Sequence, residues 1–284
     1  MILDGKQLSL KIRKQVKEKT LKLIEQYNKK PHLVVILIGE NPASQSYVRS
    51  KERACIKAGF ESTIIKKDVD ITESELIDII ENLNNDDNVH GILLQLPIPK
   101  HIDEDKVLNL INPSKDVDGF HNINIAKLNK GQEALVPCTP LGITKILEEY
   151  SIDPTGKHCV IIGRSQIVGK PMAALMLKRN STVTICHSKT RDIRDITKQA
   201  DILIVAIGRA HMVDETFVKP GAVVIDVGIN RVDGVLVGDV DFDKVKDIAE
   251  YITPVPGGVG PMTIACLLEN TLTCYEAIEG KNND

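Results

Sequence analysis

Short apolar, β-branched runs alternate with helix-spaced apolar patterns along most of this chain, and that alternation admits few folds. Runs at 32–39, 61–69 and 89–96 are strand-length, and helical patterns at 42–58 and 73–85 separate them, the second carrying Leu76, Ile79, Ile80 and Leu83. Such an order implies parallel strands covered by helices, because a parallel connection must cross back over the sheet. After the turn Asp153-Pro154-Thr155-Gly156 a second series begins, with strands expected near 158–163, 181–187, 201–207 and 221–228. Within residues 4–30, Leu8, Ile12, Val16, Leu23 and Tyr27 form one helical stripe. Further helices are predicted over 139–150 and 261–280, the latter with Ile264, Leu267, Leu268, Thr271, Leu272 and Tyr275 along one face. The polar end, Gly280 to Asp284, is expected to fray.

The head of the second series carries a dinucleotide signal. His158 to Gly163 reads as a buried strand that runs through Gly163-Arg164-Ser165-Gln166-Ile167-Val168-Gly169 into a helix. A glycine turn at a helix amino terminus aims N–H groups and a positive dipole end at a pyrophosphate. The match to Gly-x-Gly-x-x-Gly is imperfect, with Ser165 in place of the second glycine and an extra residue before Gly169, so a tight strand-helix turn without a ligand stays open. The next strand ends Thr184-Ile185-Cys186-His187-Ser188-Lys189, without the carboxylate that binds a ribose 2′-hydroxyl. Ser188, Lys189 and Arg164 suit a 2′-phosphate instead, which favours NADP; solvated loop residues are the plain alternative.

These patterns imply an α/β chain of two domains, each with a mainly parallel sheet flanked by helices, the second a Rossmann-type NADP-binding domain. Residues 1–119, rejoined by a returning helix at about 262–284, are assigned to substrate and residues 120–261 to NADP, with the ligand cleft expected between them. A length of 284 residues, 42% of them apolar, accommodates two ordinary domains. With a net charge of −3 and 36 Lys and Arg dispersed along the chain, no nucleic-acid partner is expected. Met1 to Lys6 has no apolar signal core and the longest apolar runs are strand-length, so no membrane partner is expected and the location is read as cytoplasmic. The six cysteines form no Cys-x-x-Cys pair and mostly sit beside apolar residues, as reduced, buried thiols do.

Two motifs are set aside. Gly163 to Lys170 has five residues between its glycines and Pro171 where a P-loop needs Ser or Thr. Asp239, Asp241, Asp243, Asp247 and Glu250 fall on calcium-loop positions, but Lys244 replaces the turn glycine and Val245, Ile248 and Ala249 suggest a helix capped near Asp243. No metal site is expected.

A second constellation lies in the first series. Asn41-Pro42 reads as a helix cap and first position, which puts Ser44, Tyr47 and Lys51 on one face directed to one solvent region. In isolation such a trio reads first as a core tyrosine and a surface lysine, but Ser44-Gln45-Ser46-Tyr47 is a poor core segment, and first turns after strand ends face ligands. Gln95 is the one amide at the end of the apolar run Gly91 to Leu96; it is either a satisfied structural group or a partner of Lys51 or of a reactive water. Lys115-Asp116-Val117-Asp118-Gly119-Phe120 is on its face a turn.

Taken in order, Tyr47-Val48-x-x-Lys51, Gln95-Leu96-Pro97-x-Pro99, Lys115 to Phe120, Pro137-Cys138-Thr139-Pro140, Gly163-Arg164-Ser165 with Val168-Gly169-x-Pro171, and Pro254-x-Pro256-Gly257-Gly258-Val259-Gly260-Pro261 closely resemble the bifunctional methylenetetrahydrofolate dehydrogenase/methenyltetrahydrofolate cyclohydrolase family over nearly the whole chain. The resemblance implies that Lys51 is the catalytic lysine, Tyr47 an aromatic platform for the substrate's aminobenzoate, Gln95 the lysine's partner and Asp118 the carboxylate that pairs with the pterin. It further implies that Ser44, Leu94, Leu96, Pro256, Gly257, Gly258 and Val259 bind substrate, and that Cys138, Thr139, Gly163, Arg164, Ser165, Val168, Gly169, Ser188 and Ile229 bind NADP. The implied chemistry is NADP-dependent oxidation of 5,10-methylenetetrahydrofolate, then hydrolysis of the methenyl cation to 10-formyltetrahydrofolate, with Lys51 as general base. A homodimer is expected from the resemblance alone. A dehydrogenase without cyclohydrolase activity, a shikimate-type NADP-dependent dehydrogenase and a non-catalytic NADP sensor are the alternatives; none of them needs Lys51, Gln95 and Asp118 together.

Overall fold

A computed structural model describes residues 1–282, which form two compact units. The first comprises Lys11–Lys127, Ala134–Cys138 and the chain from Ile264. In chain order it contains most of α1 (Gly5–Tyr27), then β1 (His32–Ile38), α2 (Pro42–Ala58), β2 (Glu61–Lys67), α3 (Glu73–Asn85), β3 (Gly91–Leu94), α4 (Glu104–Leu108) and most of α5 (Asn122–Asn129). The sheet order is β2-β1-β3, all parallel. Central β1 is covered on both faces, so six successive residues from Leu33 to Ile38 are buried. Leu8, Ile12, Val16 and Leu23 are all buried, so the α1 stripe faces a core. Thr72 and Glu75 close a capping box at the start of α3, which fixes that boundary.

The second unit comprises Met1–Leu10, Leu128–Glu133 and Thr139–Thr263. It contains most of α6 (Cys138–Glu149), then β4 (His158–Ile162), α7 (Gly169–Lys178), β5 (Thr182–Cys186), α8 (Ile193–Thr197), β6 (Ile202–Val205), β7 (Val223–Asp226), the hairpin of β8 (Asn230–Val232) and β9 (Val235–Val237), α9 (Phe242–Val245) and β10 (Tyr251–Ile252). Its five-stranded sheet runs β10-β7-β6-β4-β5, every pairing parallel. Chain order reverses between β4 and β6, and the ground beyond the carboxyl ends of those two strands is where open α/β sheets bind ligands. The first ten residues cluster here through a backbone bond from Leu3 to Ile252 (2.8 Å) beside β10.

The last helix, α10 (Val259–Asn282), is buried on more than the one predicted face: Ile264 to Leu268 are five consecutive buried residues. In the first unit its end is tied down by Glu279, which accepts from Lys29 (2.7 Å) and from the buried ring of His90 (2.8 Å), while the Tyr275 hydroxyl donates to Lys29 O (2.7 Å). Gly280 and Lys281 are therefore helical rather than frayed; Asn283 and Asp284 lie outside the described residues. The short elements α4, α5, α8, β8, β9 and β10 are the ones the sequence patterns do not announce. The helix expected near Asp243 is present as α9, with Asp241 at its cap position and a length of only 4 residues. Among the described residues no helix is long and apolar enough to cross a membrane.

Candidate active site

Strands β1 and β3 are parallel neighbours, so their carboxyl ends lie at one edge of the sheet. From the first of these ends the chain turns through Gly39 into α2, where the Asn41 side chain accepts from Ala43 N (3.0 Å) and Ser44 N (3.1 Å). From the second comes Gln95, whose N–H extends the ladder by donating to Ile36 O (2.9 Å). The two ends meet at Lys51, whose Nζ donates to Gln95 Oε1 (3.0 Å) and sits 4.7 Å from the centroid of the Tyr47 ring. The amide is held in that orientation because its Nε2 donates to Leu96 O (2.7 Å).

One sequence expectation is corrected here. The helix face carrying Ser44, Tyr47 and Lys51 does not point to open solvent: Ser44 and Lys51 are 8% and 4% exposed, and Tyr47 is half-buried. The Lys51 head is held within the unit by the Gln95 amide and the Tyr47 ring. Leu94, 1% exposed, packs its side chain into the core with Ile36 and Ile92, so only its backbone is available to a ligand; Leu96 is partly open.

Around Asp118 the motif residues serve as a frame. Lys115 Nζ donates to the carbonyls of Leu83, Asn84 and Asp86 (3.0, 2.8 and 2.8 Å), closing the carboxyl end of α3. The buried Asp116 carboxylate accepts from three successive backbone N–H groups, Gly119 (3.1 Å), Phe120 (3.2 Å) and His121 (2.8 Å), and from Asn124 Nδ2 (2.8 Å). Val117 O accepts from Asn270 Nδ2 (2.9 Å) and from the Cys138 thiol (3.3 Å). Gly119 has φ +73°, and a Cβ there would lie 2.7 Å from Pro137 N. Asp118 and Phe120 stay partly open, and of the two only Asp118 carries a charge. Burial raises its carboxyl above the usual carboxylate range, the charge of Lys51 opposes that rise and the nearby Asp116 adds to it. Cys138, expected at the cofactor, has its thiol in this unit, 3% exposed and raised well above an ordinary thiol by burial.

In the second unit the glycine turn is built by close approach. Gly163 has φ +127°, and a Cβ on it would meet Ala206 O at 2.3 Å; one on Gly169 would meet Gly163 O at 2.2 Å. Ser165 Oγ accepts from Val168 N (3.2 Å) and Gly169 N (3.3 Å), so two N–H groups expected to be free for an anion are capped by a side chain. A cavity of about 280 Å³ opens beyond the strand ends, lined by Gly163 and Arg164 after β4, His187 and Ser188 after β5, and Ala206 and Arg209 after β6. The lining side chains include two arginines and no carboxylate. This cradle, which tolerates no Cβ at its turn and presents cations at the switch point, fits a phosphorylated dinucleotide. Ile229 is 60% exposed. Pro256 is exposed, Gly257 has φ +112° and its carbonyl accepts from Lys6 N (2.8 Å), and Val259 is buried at the start of α10.

Arg209, Asp239 and Asp226 are absent from the sequence-based site. Asp239 is fully buried, and its carboxylate takes N–H donors from Ile207 (2.7 Å), Gly208 (2.9 Å) and Arg209 (2.7 Å) and from Asn230 Nδ2 (2.9 Å). Asp226 accepts from Gly228 N, Asp239 N and Val240 N (2.9, 3.0 and 2.9 Å). The acidic spacing that resembles a calcium loop thus has a different purpose. Its signal in the sequence is a pair of glycines: a Cβ on Gly228 would lie 2.2 Å from Asp239 Cγ, and one on Gly238 would lie 1.8 Å from Asp226 Oδ2.

Comparison with known proteins finds matches over nearly the whole chain. Residues 3–118 match the family model for the catalytic domain of tetrahydrofolate dehydrogenase/cyclohydrolase, and residues 137–279 match the model for its NAD(P)-binding domain. A Streptococcus suis protein named bifunctional protein FolD is 55% identical over 277 residues, 97% of each chain. The solved bifunctional methylenetetrahydrofolate dehydrogenase/cyclohydrolase of Campylobacter jejuni is 52% identical with a TM-score of 0.95, covering 98% of this chain and 99% of that one. A Trypanosoma brucei methylenetetrahydrofolate dehydrogenase-cyclohydrolase, solved with NADP and an inhibitor, is 37% identical with a TM-score of 0.94, covering 98% and 97%. This chain belongs to the tetrahydrofolate dehydrogenase/cyclohydrolase family.

Proposed function

We propose that the chain oxidises 5,10-methylenetetrahydrofolate with NADP and hydrolyses the resulting 5,10-methenyltetrahydrofolate to 10-formyltetrahydrofolate. The observation that carries this reading is the buried lysine held between an amide and an aromatic ring, Lys51 with Gln95 at 3.0 Å and Tyr47 at 4.7 Å. In this account Asp118 binds the pterin edge through its carboxylate and the Tyr47 ring lies against the aminobenzoate, which together place the one-carbon bridge at Lys51. NADP, when bound, supplies the hydride acceptor. Water then adds to the bridge carbon of the methenyl cation and loses a proton to Lys51. The hydroxyl of that adduct then gives up its proton and becomes the formyl carbonyl while the bond from that carbon to N5 breaks and N5 takes up a proton, so one proton is released in all and the formyl group stays on N10. Gln95 keeps the Nζ at the strand ends while the proton moves.

On the cofactor side, Gly163, Ser165, Val168 and Gly169 form the turn that receives the pyrophosphate, Arg164 and Ser188 meet the 2′-phosphate, and Thr139, Ile229 and the backbone at Cys138 complete the contacts. Pro256, Gly257, Gly258 and Val259, with Ser44, Leu94 and Leu96, complete the substrate side. By sequence range, residues 1–119 with 262–284 are assigned to the folate and residues 120–261, apart from the loop Pro256 to Val259, to the dinucleotide, although the first ten residues group with the second compact unit and Phe120–Lys127 and Ala134–Cys138 with the first. A homodimer in the cytoplasm completes the proposal; six free, buried cysteines support a reducing location, and light scattering at micromolar concentration tests the dimer. The direct test is spectrophotometric. Purified protein given 5,10-methylenetetrahydrofolate should reduce NADP and should clear 5,10-methenyltetrahydrofolate without cofactor; inactivity in both assays would overturn the assignment.

A further inference from the structure

The loop that follows β6 is built more rigidly than a connection needs to be, and it ends in a cation at the nucleotide cavity. Asp239, with no solvent exposure, gathers the successive N–H groups of Ile207, Gly208 and Arg209 onto one carboxylate (2.7, 2.9 and 2.7 Å). Asp226 in turn fixes the backbone of Asp239 (3.0 Å), and two glycines leave room for the carboxylates. Three consecutive N–H groups converging on one anion hold a loop in a single conformation. The guanidinium that this loop presents is exposed, and among the described residues no acceptor or carboxylate is recorded for it or for that of Arg164. Two arginines therefore line one cavity with no acidic side chain in its lining, and their mutual repulsion is relieved when a multiply charged anion enters.

We propose that Arg209 is a second reader of the dinucleotide's 2′-phosphate, acting with Arg164, and that Asp239 is the positioning residue that sets its loop. This rests on the NADP reading above and adds to it a specificity residue on a different strand end. A phosphate monoester carries close to two charges at neutral pH and offers three acceptor oxygens, so two guanidinium forks are satisfied where one leaves oxygens to water. The ribose 2′-hydroxyl of NAD gives Arg209 no such partner, so its contribution is confined to the phosphorylated cofactor.

Isothermal calorimetry with adenosine 2′,5′-bisphosphate and with adenosine 5′-monophosphate, on wild type, Arg209→Gln, Arg164→Gln and the double variant, tests this without catalysis. Arg209→Gln should weaken the bisphosphate by about tenfold, as loss of one charge-assisted contact does, and leave the monophosphate within about twofold. Because both side chains hold one group, the double variant should lose a different amount from the sum of the singles. Unchanged bisphosphate affinity in Arg209→Gln, or equal losses with both ligands, would overturn the proposal while leaving the NADP reading intact. A wild type that binds the bisphosphate no better than the monophosphate would remove that reading and the proposal with it. Thermal unfolding of each variant checks that the exposed substitution leaves the fold in place.

Discussion

Asp116 and Asp239 solve the same problem in the two units: each buries one carboxylate under three successive backbone N–H groups, and the loop so fixed displays a neighbouring charged side chain, Asp118 in one case and Arg209 in the other. A buried carboxylate is costly unless its acceptors are filled, and here the loop backbone fills them. Asp116→Asn turns an acceptor into an NH₂ that faces N–H donors. It should cost about 1–3 kcal/mol in urea unfolding, and raise the KM for the folate because Asp118 loses its frame. Asp118 was legible from the sequence only through the resemblance of its motif, while Lys115, Asp116, Val117 and Gly119 read as an ordinary turn. The structure gives them separate tasks, and those depend on groups far away in sequence, such as Leu83 and Asn270. Arg164 has a simpler test: Arg164→Ala should raise the KM for NADP by roughly tenfold or more and that for NAD far less, since a contact worth about 1.5–3 kcal/mol is made only to the phosphate. Equal losses with both cofactors would contradict the assignment.

At the scale of elements, the long ones were readable because local signals agree with burial. α2 and α3 begin and end where the sequence places them, since Asn41-Pro42 and the Thr72/Glu75 box supply the caps. The short ones mostly were not: β10, with 2 residues, owes its conformation to the sheet around it, and α9, though expected as a helix, runs for only 4 residues. The end of β7 carries a titration of its own. Burial, with the like charge of Asp239 as a lesser cause, pushes the Asp226 carboxyl up to about 7, against its backbone N–H donors. In the unfolded chain the same group titrates near the ordinary carboxylate value of about 3.9. Between those pH values the native state holds a proton that the unfolded state has lost. The group's contribution is therefore full below about pH 4 and is lost as pH rises through about 7. Urea unfolding at pH 5 and pH 8 should show wild type losing on the order of a few kcal/mol from this source, with a smaller loss in Asp226→Asn. An identical pH slope in the two proteins would show that Asp226 does not titrate in this range.

For the molecule as a whole, the two parallel sheets followed from the alternation of strand and helix patterns, and the five-stranded order with its switch point at β4 and β6 accounts for the place of the cationic cavity. Periodicity did not reveal the depth at which the Ser44 and Lys51 face of α2 sits, because both are polar residues that a hydrophobic period leaves on the outside. The role proposed for Lys51 separates the two half-reactions: oxidation asks the first unit for alignment, whereas hydrolysis asks it for a proton acceptor. Lys51→Met keeps most of the stem's volume and removes the amine, so the α2 packing around Val48, Ala54 and Cys55 should survive. Measuring both rates on that purified variant tests the central claim most directly. Methenyltetrahydrofolate hydrolysis should fall by at least about a hundredfold, as loss of a general base does, while NADP-dependent oxidation of methylenetetrahydrofolate should stay reduced but measurable. Hydrolysis at the wild-type rate would contradict the account, since Lys51 would then not be the base.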